Sequence, residues 1–400
     1  MSHRHSILCI LPPYMLEQIA QRGTSGQRQT AARSIAASQQ IRNKRRGLSL
    51  ATFRGALHAR MAATTLKQRA VYSANFSTQL PGTLLRGEGD DPVSDPAVNE
   101  AYNGCGDTYD VFSTAFGRNS IDNNGLKLIS TVHYDKGYDN AFWDGEQMIY
   151  GDGDEDRPST ERLFNRFTVS LDIIGHELTH GVTQYEANLD YNNQSGALNE
   201  AISDIFGSLV KQYKLGQTAA EANWIIGDGL FTANVKGVGI RSLKAPGTAY
   251  NDFVLGSDPQ PAHMRDYVTT IEDNGGVHIN SGIVNHAFYI MAAELGGFAW
   301  QKAGMIWYTA LTEKLTSGSN FQNAANLTYE AAAQIFGANS LEQKAVKNGW
   351  SQVGISITGI GSEEPTPTPI PDPIPVPPVS VPEQGQGCMT VLMRAFGLRK

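Results

Sequence analysis

The sequence has few cysteines and no long apolar run, and each absence excludes a class of protein. Its three cysteines, Cys9, Cys105 and Cys388, are widely spaced in 400 residues, so we expect no disulfide framework. No uninterrupted apolar stretch reaches the roughly 20 residues that a membrane-spanning helix requires. The apolar run from Ile7 to Leu11 is too brief for a Sec signal peptide, and two prolines follow it at once.

Acidic residues are almost absent from the first 70 positions, which carry twelve Lys or Arg and the single acid Glu17. The net charge is +11 for this segment and −18 for the rest of the chain, and opposite charges favour docking of one part on the other. A basic, acid-poor leader is also typical of an organelle transit peptide. A nucleic-acid or membrane arm is the third interpretation, but no aromatic residues are interleaved with the basic ones, so we expect no nucleic-acid partner.

Proline is concentrated near the C-terminus, where residues 365–382 hold nine of the eighteen prolines. This composition predicts an extended polyproline II spacer, and we place a Pro-rich linker at residues 358–383. Residues 384–400 then form a short tail, which is either disordered or a sorting or attachment signal.

Residues 176–180 read His-Glu-Leu-Thr-His within the apolar run from Leu171 to Val182, which has a helical pattern. Residues four apart lie on one face of a helix, so His176 and His180 can bind one metal ion while Glu177 projects beside it. This arrangement indicates a zinc hydrolase, in which zinc lowers the pKa of its bound water to about 7. Glu177 can take the proton of that water and pass it to the leaving amine.

A catalytic zinc ion takes three protein ligands and keeps a fourth position for water. In the extended motif His-Glu-x-x-His-x-x-Gly-x-x-His the last histidine is the third ligand, which would require Gly at position 183 and His at position 186. The sequence has Thr183 and Glu186 there, so this class is excluded. The segment from Gly196 to Gly207 contains Glu200 and, one turn later, Asp204, among apolar neighbours that indicate burial. We therefore expect Glu200 to be the third ligand and Asp204 to orient a ligand imidazole.

From about Val71 to Ile355 the chain resembles the thermolysin family of neutral zinc metallopeptidases. The resemblance rests on the zinc pentapeptide, the Glu200 segment, and the runs Gly117-Arg-Asn-Ser120, Asn140-Ala-Phe-Trp-Asp-Gly145, Tyr150-Gly-Asp-Gly-Asp154 and Asp273-Asn-Gly-Gly-Val-His-Ile-Asn-Ser-Gly282. The His, His, Glu ligand set is that of thermolysin itself, so it is also recognised from the family.

The resemblance implies an α+β fold with two lobes, and the hydrophobic patterning favours the same fold. Residues 70–167 alternate apolar and polar in short runs, which predicts a β-rich N-terminal lobe. Residues 168–357 have the periodicity of a helical C-terminal lobe, with the zinc site in the cleft between the two. Helices are predicted at Ser281 to Leu295, Ala299 to Leu315 and Phe321 to Phe336.

The resemblance also implies roles for further site residues. His278, after two glycines that permit a tight turn, looks like a donor to the oxyanion of the tetrahedral intermediate, with Asp273 orienting its ring. Tyr191 looks like the second donor to that oxyanion. Arg241 looks like the guanidinium that holds a substrate carbonyl and steadies the Glu200 region.

Substrate-binding residues can be assigned in the same way. Asn140, Ala141, Phe142 and Trp143 resemble the edge strand of the family, on which an extended peptide adds as a further strand. The pocket for the side chain just after the scissile bond would contain Phe164, Phe167, Ile173 and Ile240, although all four are equally consistent with ordinary core. Large apolar pocket residues predict cleavage on the N-terminal side of large apolar residues.

Calcium binding is where the sequence departs from the family. Asp172, Asn223 and Asp228 keep oxygen ligands at the paired calcium site, but Lys211 and Ile225 stand where two carboxylates are expected. Calcium takes six to eight oxygens. We therefore expect at most weak calcium dependence, with the Lys211 ammonium in place of the ion.

Residues 1–69 resemble the short pro-segment of one branch of the family. The run from Ile10 to Leu16 is its recognisable piece. We expect this pro-segment to lie over the acidic cleft as an intramolecular inhibitor and to be removed by a cut between Arg45 and Arg69. Masking of the zinc by Cys9 is a further alternative.

The sequence thus predicts a monomeric zinc endopeptidase, made as a zymogen, that acts on proteins or peptides. We expect secretion without a Sec signal, with a cytoplasmic enzyme of few substrates as the alternative. A non-catalytic zinc-dependent binding protein on the same fold is the competing class. The presence of Glu177, Tyr191 and His278 argues against that class.

Overall fold

The computed structural model describes residues 8–48 and 66–358, and the statements below concern those residues. The helices are α1 Pro13–Arg22, α2 Ser25–Leu48, α3 Pro96–Phe116, α4 Leu171–Tyr185, α5 Asn193–Leu215, α6 Asp273–Leu295, α7 Ala303–Glu313, α8 Phe321–Phe336 and α9 Leu341–Gln352. The strands are β1 Leu8–Cys9, β2 Arg69–Ser73, β3 Thr83–Gly87, β4 Leu128–Val132, β5 Ala141–Trp143, β6 Met148–Tyr150, β7 Ile225–Ile226, β8 Arg241–Ser242, β9 Asn251–Asp252 and β10 Gly256–Ser257. The C-terminal tail and all but the first residue of the Pro-rich linker lie outside the described residues, as do residues 49–65 of the expected processing region.

A six-stranded mixed sheet organises the N-terminal lobe, with strand order β1-β5-β6-β4-β2-β3. The neighbours β2 and β4, and β4 and β6, run parallel, and the other pairs are antiparallel. The outermost strand β1 comes from the basic N-terminal segment. It therefore covers β5, which is the strand that the sequence predicts to bind substrate.

The α+β, two-lobed fold is confirmed, with one helix that the patterning did not predict. Helix α3 crosses the β-rich lobe and has clear end signals, because the Asp95 side chain accepts from a backbone N–H of its first turn and Gly117 ends it with a left-handed φ of 67°. Glycines inside α3 interrupt its apolar pattern. One of them, Gly104, lies against Ile174 of α4, where a side chain would collide.

The helical lobe brings α4 and α5 unusually close together. A Cβ on Gly175 of α4 would lie only 3.1 Å from the Cα of Gly207 on α5, so two glycines permit the close contact. Residues 172–183 and 196–212 are buried without a break, which places the polar side chains of both helices in the interior. Among the described residues, no helix is long and apolar enough to cross a membrane.

Candidate metal centre and active site

The two histidines and Glu200 converge at one point between α4 and α5. The Nε2 atoms of His176 and His180 lie 3.5 Å and 3.4 Å from carboxylate oxygens of Glu200, and all three side chains are fully buried. Both Nε2 atoms and Glu200 Oε2 have no hydrogen-bond partner in the described part of the chain. Buried polar atoms normally have partners, so three such ligand atoms within 4.8 Å of one another fit one metal ion. Two imidazoles and a carboxylate form a zinc ligand set.

Asp204 fixes the first imidazole of this group. His176 Nδ1 donates to Asp204 Oδ1 over 2.8 Å, and Arg241 donates to both Asp204 oxygens, also over 2.8 Å. Burial opposes ionisation of Asp204, but the guanidinium and the His176 hydrogen bond outweigh it and hold the pKa of Asp204 below its usual value. The ionised carboxylate keeps the His176 proton on Nδ1, so that Nε2 is free of a proton and can bind the metal.

His180 is oriented by neutral groups that sequence reasoning missed. Asn199 Oδ1 and Ser203 Oγ each lie 2.9 Å from His180 Nδ1, and burial lowers the pKa of His180, so the ring is neutral as a metal ligand must be. The signal was present, since the two residues are four apart on α5 and share a face. Asn285 of α6, which donates to Asp204 over 2.8 Å, had no local signal because it lies 81 residues away.

Glu177 lies next to the metal-ligand group without belonging to it. Its Oε2 accepts from the backbone N–H of Trp143 over 3.0 Å, while its Oε1 has no hydrogen-bond partner among the described residues. Burial and the nearby Glu200 carboxylate raise the pKa of Glu177. A buried carboxyl group with a raised pKa and one oxygen without a partner is suited to proton transfer.

His278 and Tyr191 lie next to each other and beside Glu200. His278 Nε2 lies 3.2 Å from the Tyr191 hydroxyl, which also donates to a Glu200 oxygen. The other ring nitrogen of His278 lies 2.6 Å from Asp273, whose second oxygen accepts from the His278 backbone N–H over 2.9 Å. Burial alone would lower the pKa of His278, but the carboxylates of Asp273 and Glu200 outweigh it and raise that pKa, which favours the protonated imidazole.

The strand β1 lies where the sequence places the substrate. It pairs antiparallel with β5, with Cys9 opposite Phe142, and the next N–H, of Ile10, donates to the Ala141 carbonyl over 3.2 Å. The carbonyl of Cys9 lies 3.0 Å from His278 Nε2. An extended segment of the chain itself is therefore added to the edge of the sheet.

Two further residues assigned to substrate binding hold the same segment. Arg241 Nη1 donates to the Ile10 carbonyl over 3.1 Å, and Asn140 Oδ1 accepts from the Leu11 N–H over 2.9 Å. The Cys9 side chain packs instead into a buried cluster with aromatic residues of the N-terminal lobe. It does not belong to the metal-ligand group, so the structure gives no support to masking of the metal by this thiol.

The four residues assigned to the pocket after the scissile bond are all in the interior, and the rings of Phe164 and Phe167 lie 6.0 Å apart. Phe164, Phe167, Ile173 and Ile240 are fully buried in the main core cluster, which also contains Ile10. A pocket that receives the Ile10 side chain has this burial, and a plain core has it too. Their role in specificity therefore stays a prediction.

Lys211 lies among the residues that the family resemblance assigns to a calcium site. Its Nζ donates to Asp172 Oδ2 and to the Ile225 carbonyl, both over 2.7 Å, and lies 3.6 Å from Asp228. Asn223 donates to Asp228 over 2.7 Å. The oxygens at this position thus already have a positively charged partner.

Two models of one protein family match the two lobes of the chain. A family model described as the thermolysin metallopeptidase catalytic domain matches residues 38–184, and one described as the thermolysin metallopeptidase alpha-helical domain matches residues 187–355. The chain belongs to the thermolysin family of metallopeptidases. Its classification as a zinc metalloendopeptidase is thereby confirmed.

Relatives within this family extend the match to most of the chain. An extracellular metalloprotease of Pectobacterium carotovorum subsp. carotovorum is 47% identical over 352 residues, which are 88% of this chain and 97% of the relative. A thermolysin of Alicyclobacillus acidocaldarius subsp. acidocaldarius is 39% identical over 294 residues, which are 71% of this chain and 50% of that protein. The solved structure of the precursor of protealysin, a metalloproteinase from Serratia proteamaculans, is 47% identical, with a TM-score of 0.78, and covers 87% of this chain and 100% of its own.

Proposed function

We propose that this thermolysin-family chain is a zymogen, in which residues 8–11 inhibit the peptidase by occupying its cleft as a substrate would. The observation that carries this proposal is the alignment of one peptide bond with the candidate catalytic residues. The carbonyl before that bond, of Cys9, lies at His278, and the carbonyl of Ile10 after it accepts from Arg241. The Cys9–Ile10 bond therefore marks the position of a scissile bond.

The residues around this bond have distinct roles in the proposed hydrolysis. His176, His180 and Glu200 hold the zinc ion, which when bound activates a water molecule and polarises the peptide carbonyl. Glu177 accepts the proton from the attacking water and delivers it to the leaving amine. Trp143 keeps the Glu177 carboxyl in place through its backbone N–H.

The oxyanion that develops at the scissile carbonyl needs donors aimed at it. His278 and Tyr191 supply them, since both lie beside Glu200 and the His278 ring already points at the Cys9 carbonyl. Asp273 holds the His278 ring and favours its protonated form. Asp204 in turn orients His176 and anchors Arg241.

Specificity should favour large apolar side chains immediately after the scissile bond. Ile10 occupies that position and is fully buried, with Phe164, Phe167, Ile173 and Ile240 in the same cluster. A panel of peptides that vary only at this position measures the preference through kcat/KM. We expect Leu, Ile and Phe to be preferred over Asp and Glu by more than tenfold, and a preference for acidic residues would reject this pocket.

The enzyme should need little calcium, because the Lys211 ammonium already neutralises Asp172 and approaches Asp228. A divalent cation at the same position would face a fixed positive charge and too few oxygens.

The cut that releases the pro-segment should fall before Arg69, which already belongs to the catalytic lobe. Arg69 begins β2 and pairs with Glu88 over 2.6 Å. Two of the relatives are named extracellular proteases, and we propose that the mature peptidase is secreted as a monomer.

Casein hydrolysis by the purified chain, before and after removal of the pro-segment, tests this function. We expect activity to rise on removal, to disappear with phenanthroline, and to fall at least 1,000-fold in Glu177→Gln, as for the loss of an essential proton-transfer group. The matched control is Glu330→Gln, which changes an exposed glutamate of α8. A processed chain that binds zinc but leaves casein intact would instead identify the non-catalytic binding protein.

A further inference from the structure

The backbone carbonyl of His278 is held by a side chain from another segment of the chain. Gln260 lies 18 residues earlier, and its Nε2 donates to the His278 carbonyl over 2.8 Å. The same nitrogen donates to Ser281 Oγ over 3.0 Å, and that hydroxyl donates to the His278 carbonyl over 3.1 Å. All three residues are buried. They therefore form a closed set of hydrogen bonds at the start of the regular part of α6.

The other anchor of His278 is Asp273, which accepts from its backbone N–H and contacts its ring. Asp273 belongs to a turn in which it and Asn274 have left-handed φ values of 49° and 51°. Such a conformation is costly for residues other than glycine and persists only where the surroundings hold it in place. The Gln260 side chain contacts His278 from outside this turn, so it supplies a hold that the turn does not.

The position of Gln260 is itself restricted by its neighbours in the chain. Pro259 and Pro261 flank it, and a residue that precedes a proline favours an extended backbone. The Gln260 backbone N–H donates to Asp258 Oδ1 over 3.1 Å, and the other Asp258 oxygen accepts from the Ala249 N–H over 3.1 Å. The segment that carries Gln260 is thus joined to the loop that follows β8.

The close approach of this segment to α6 depends on Gly282. A Cβ at this position would lie only 2.8 Å from the Pro261 carbonyl oxygen and 2.9 Å from Gln260 Cβ. Gly282 comes four residues after His278, so it lies on the same face of the helix one turn later. A side chain at position 282 would push Gln260 away from the His278 carbonyl.

We propose that Gln260 is a positioning residue that holds the His278 ring in line with the scissile carbonyl. This inference rests on the proposed function of His278 as a donor to the oxyanion. The Cα and carbonyl of His278 share one planar peptide unit, so a shift of the carbonyl also moves the side chain. Catalytic groups must be held to within about 0.5 Å of their productive geometry, and a misplacement of about 1 Å can cost 100-fold in rate.

Steady-state cleavage of a peptide by the processed, zinc-loaded chain tests the proposal. Gln260→Met keeps the length of the side chain and removes the donor. We expect kcat to fall at least tenfold and KM to change less than twofold, because the oxyanion contact is made only in the transition state. The matched control is Gln343→Met, which changes a buried glutamine that donates to the Tyr329 carbonyl and should keep both constants. A smaller fall in kcat, or a loss carried by KM, would overturn the proposal.

A double-mutant cycle separates positioning from general damage to the fold. His278→Ala should lower kcat at least 100-fold, as for the loss of an oxyanion donor. In that chain Gln260→Met should lower kcat less than twofold further, because the ring that it positions is gone. If His278→Ala leaves kcat unchanged, the proposed function of His278 fails. If His278→Ala lowers kcat but the two losses multiply, only the role of Gln260 is rejected.

A second readout does not depend on turnover. A peptide phosphonate, which carries a tetrahedral anionic group in place of the scissile carbonyl, resembles the transition state. Its Kd, measured by isothermal titration calorimetry, should rise at least tenfold in Gln260→Met, while the Kd of a product peptide changes less than twofold. Equal changes in both would contradict the proposal.

If Gln260→Met folds poorly by circular dichroism, Ser281→Ala takes its place. This substitution removes the other donor to the His278 carbonyl and should likewise lower kcat without changing KM. A folded, zinc-loaded Ser281→Ala chain with the kcat of the parent would then reject the proposal.

Discussion

Helices α4 and α5 carry two buried clusters of charged residues that meet the cost of burial in different ways. At one cluster, Lys211 supplies an ammonium 2.7 Å from the fully buried Asp172. At the other, Glu200 Oε2 and the Nε2 atoms of His176 and His180 have no hydrogen-bond partner among the described residues. The first cluster is complete in itself, whereas the second has ligand atoms directed at one common point.

This difference shows how a metal site can be distinguished from a structural ion pair on the same helices. A buried carboxylate requires a cation in both cases. The partner of Asp172 is a lysine that lies on α5, so the chain itself provides the charge. Around Glu200 the Tyr191 hydroxyl serves one carboxylate oxygen, but the other oxygen and the Nε2 atoms of His176 and His180 have no hydrogen-bond partner among the described residues. A metal ion is the partner that suits these three atoms.

The largest effect on activity is expected when one of the three metal ligands is removed. Glu200→Gln should remove the carboxylate ligand and lower casein hydrolysis at least 1,000-fold, with loss of bound zinc measured by elemental analysis after dialysis. The matched control is Glu330→Gln, which changes an exposed glutamate of α8 and should keep its zinc. Full zinc occupancy in Glu200→Gln would contradict the assigned ligand set.

Removal of the Lys211 ammonium should lower the stability of the fold and leave the metal bound. Lys211→Met leaves Asp172 buried without its charge partner, and we expect a loss of about 3–5 kcal/mol in the free energy of unfolding, measured by urea denaturation. Lys214→Met on the same helix removes an exposed pair with Asp107 and should cost less than about 1 kcal/mol. Equal costs would show that the Lys211 pair is not a buried stabilising contact.

A calcium-specific chelator sharpens the same comparison. The melting temperature of the parent chain should stay unchanged in the chelator, because the Lys211 ammonium already contacts Asp172 and the Ile225 carbonyl. A large fall in melting temperature would show that calcium binds in spite of the lysine.

A smaller effect is expected from the residue that orients His176. Asp204→Asn should lower zinc affinity about 10- to 100-fold, as for other partners of ligand imidazoles. Competition with a zinc chelator of known affinity measures the change, and circular dichroism shows whether the fold is retained. An unchanged affinity would mean that Arg241 and Asn285 position the site without Asp204.

The smallest effect concerns a charged cluster that is partly exposed. His133 lies between Asp152 and Asp95, at 2.8 Å and 2.7 Å, and its contacts with Asp152 are the main reason that the pKa of His133 is raised to about 9. The stabilisation is fully present below the usual pKa of about 6.5 and is lost as the pH rises through 9. His133→Gln should therefore cost about 1 kcal/mol at pH 6 and nothing above pH 10. A difference that grows with pH would contradict this sign.

Local patterns in the sequence predicted the parts of the site that lie on one element. The zinc pentapeptide lies on a single helix, and the turn before His278 follows from Gly275 and Gly276, whose φ values are 86° and 75°. Glu200 could be assigned because α5 follows α4 after a short connection. These features depend on neighbours in sequence.

The features that could not be predicted depend on contacts between distant parts of the chain. Asn285 reaches Asp204 across 81 residues, and Arg157 reaches Gly26 across 131. Their alignment is set by how α2, α5 and α6 pack, and no periodicity in the sequence encodes it. Helix α3 was missed for a local reason, since Gly104 and Gly106 break its apolar pattern.

Anomalous diffraction at the zinc absorption edge, from crystals of the full chain grown with zinc and calcium present, tests the contrast between the two clusters most directly. We expect one strong zinc peak between His176, His180 and Glu200, and no cation peak between Asp172 and Asp228. A metal ion beside Lys211, or no zinc at the two histidines and Glu200, would contradict the account.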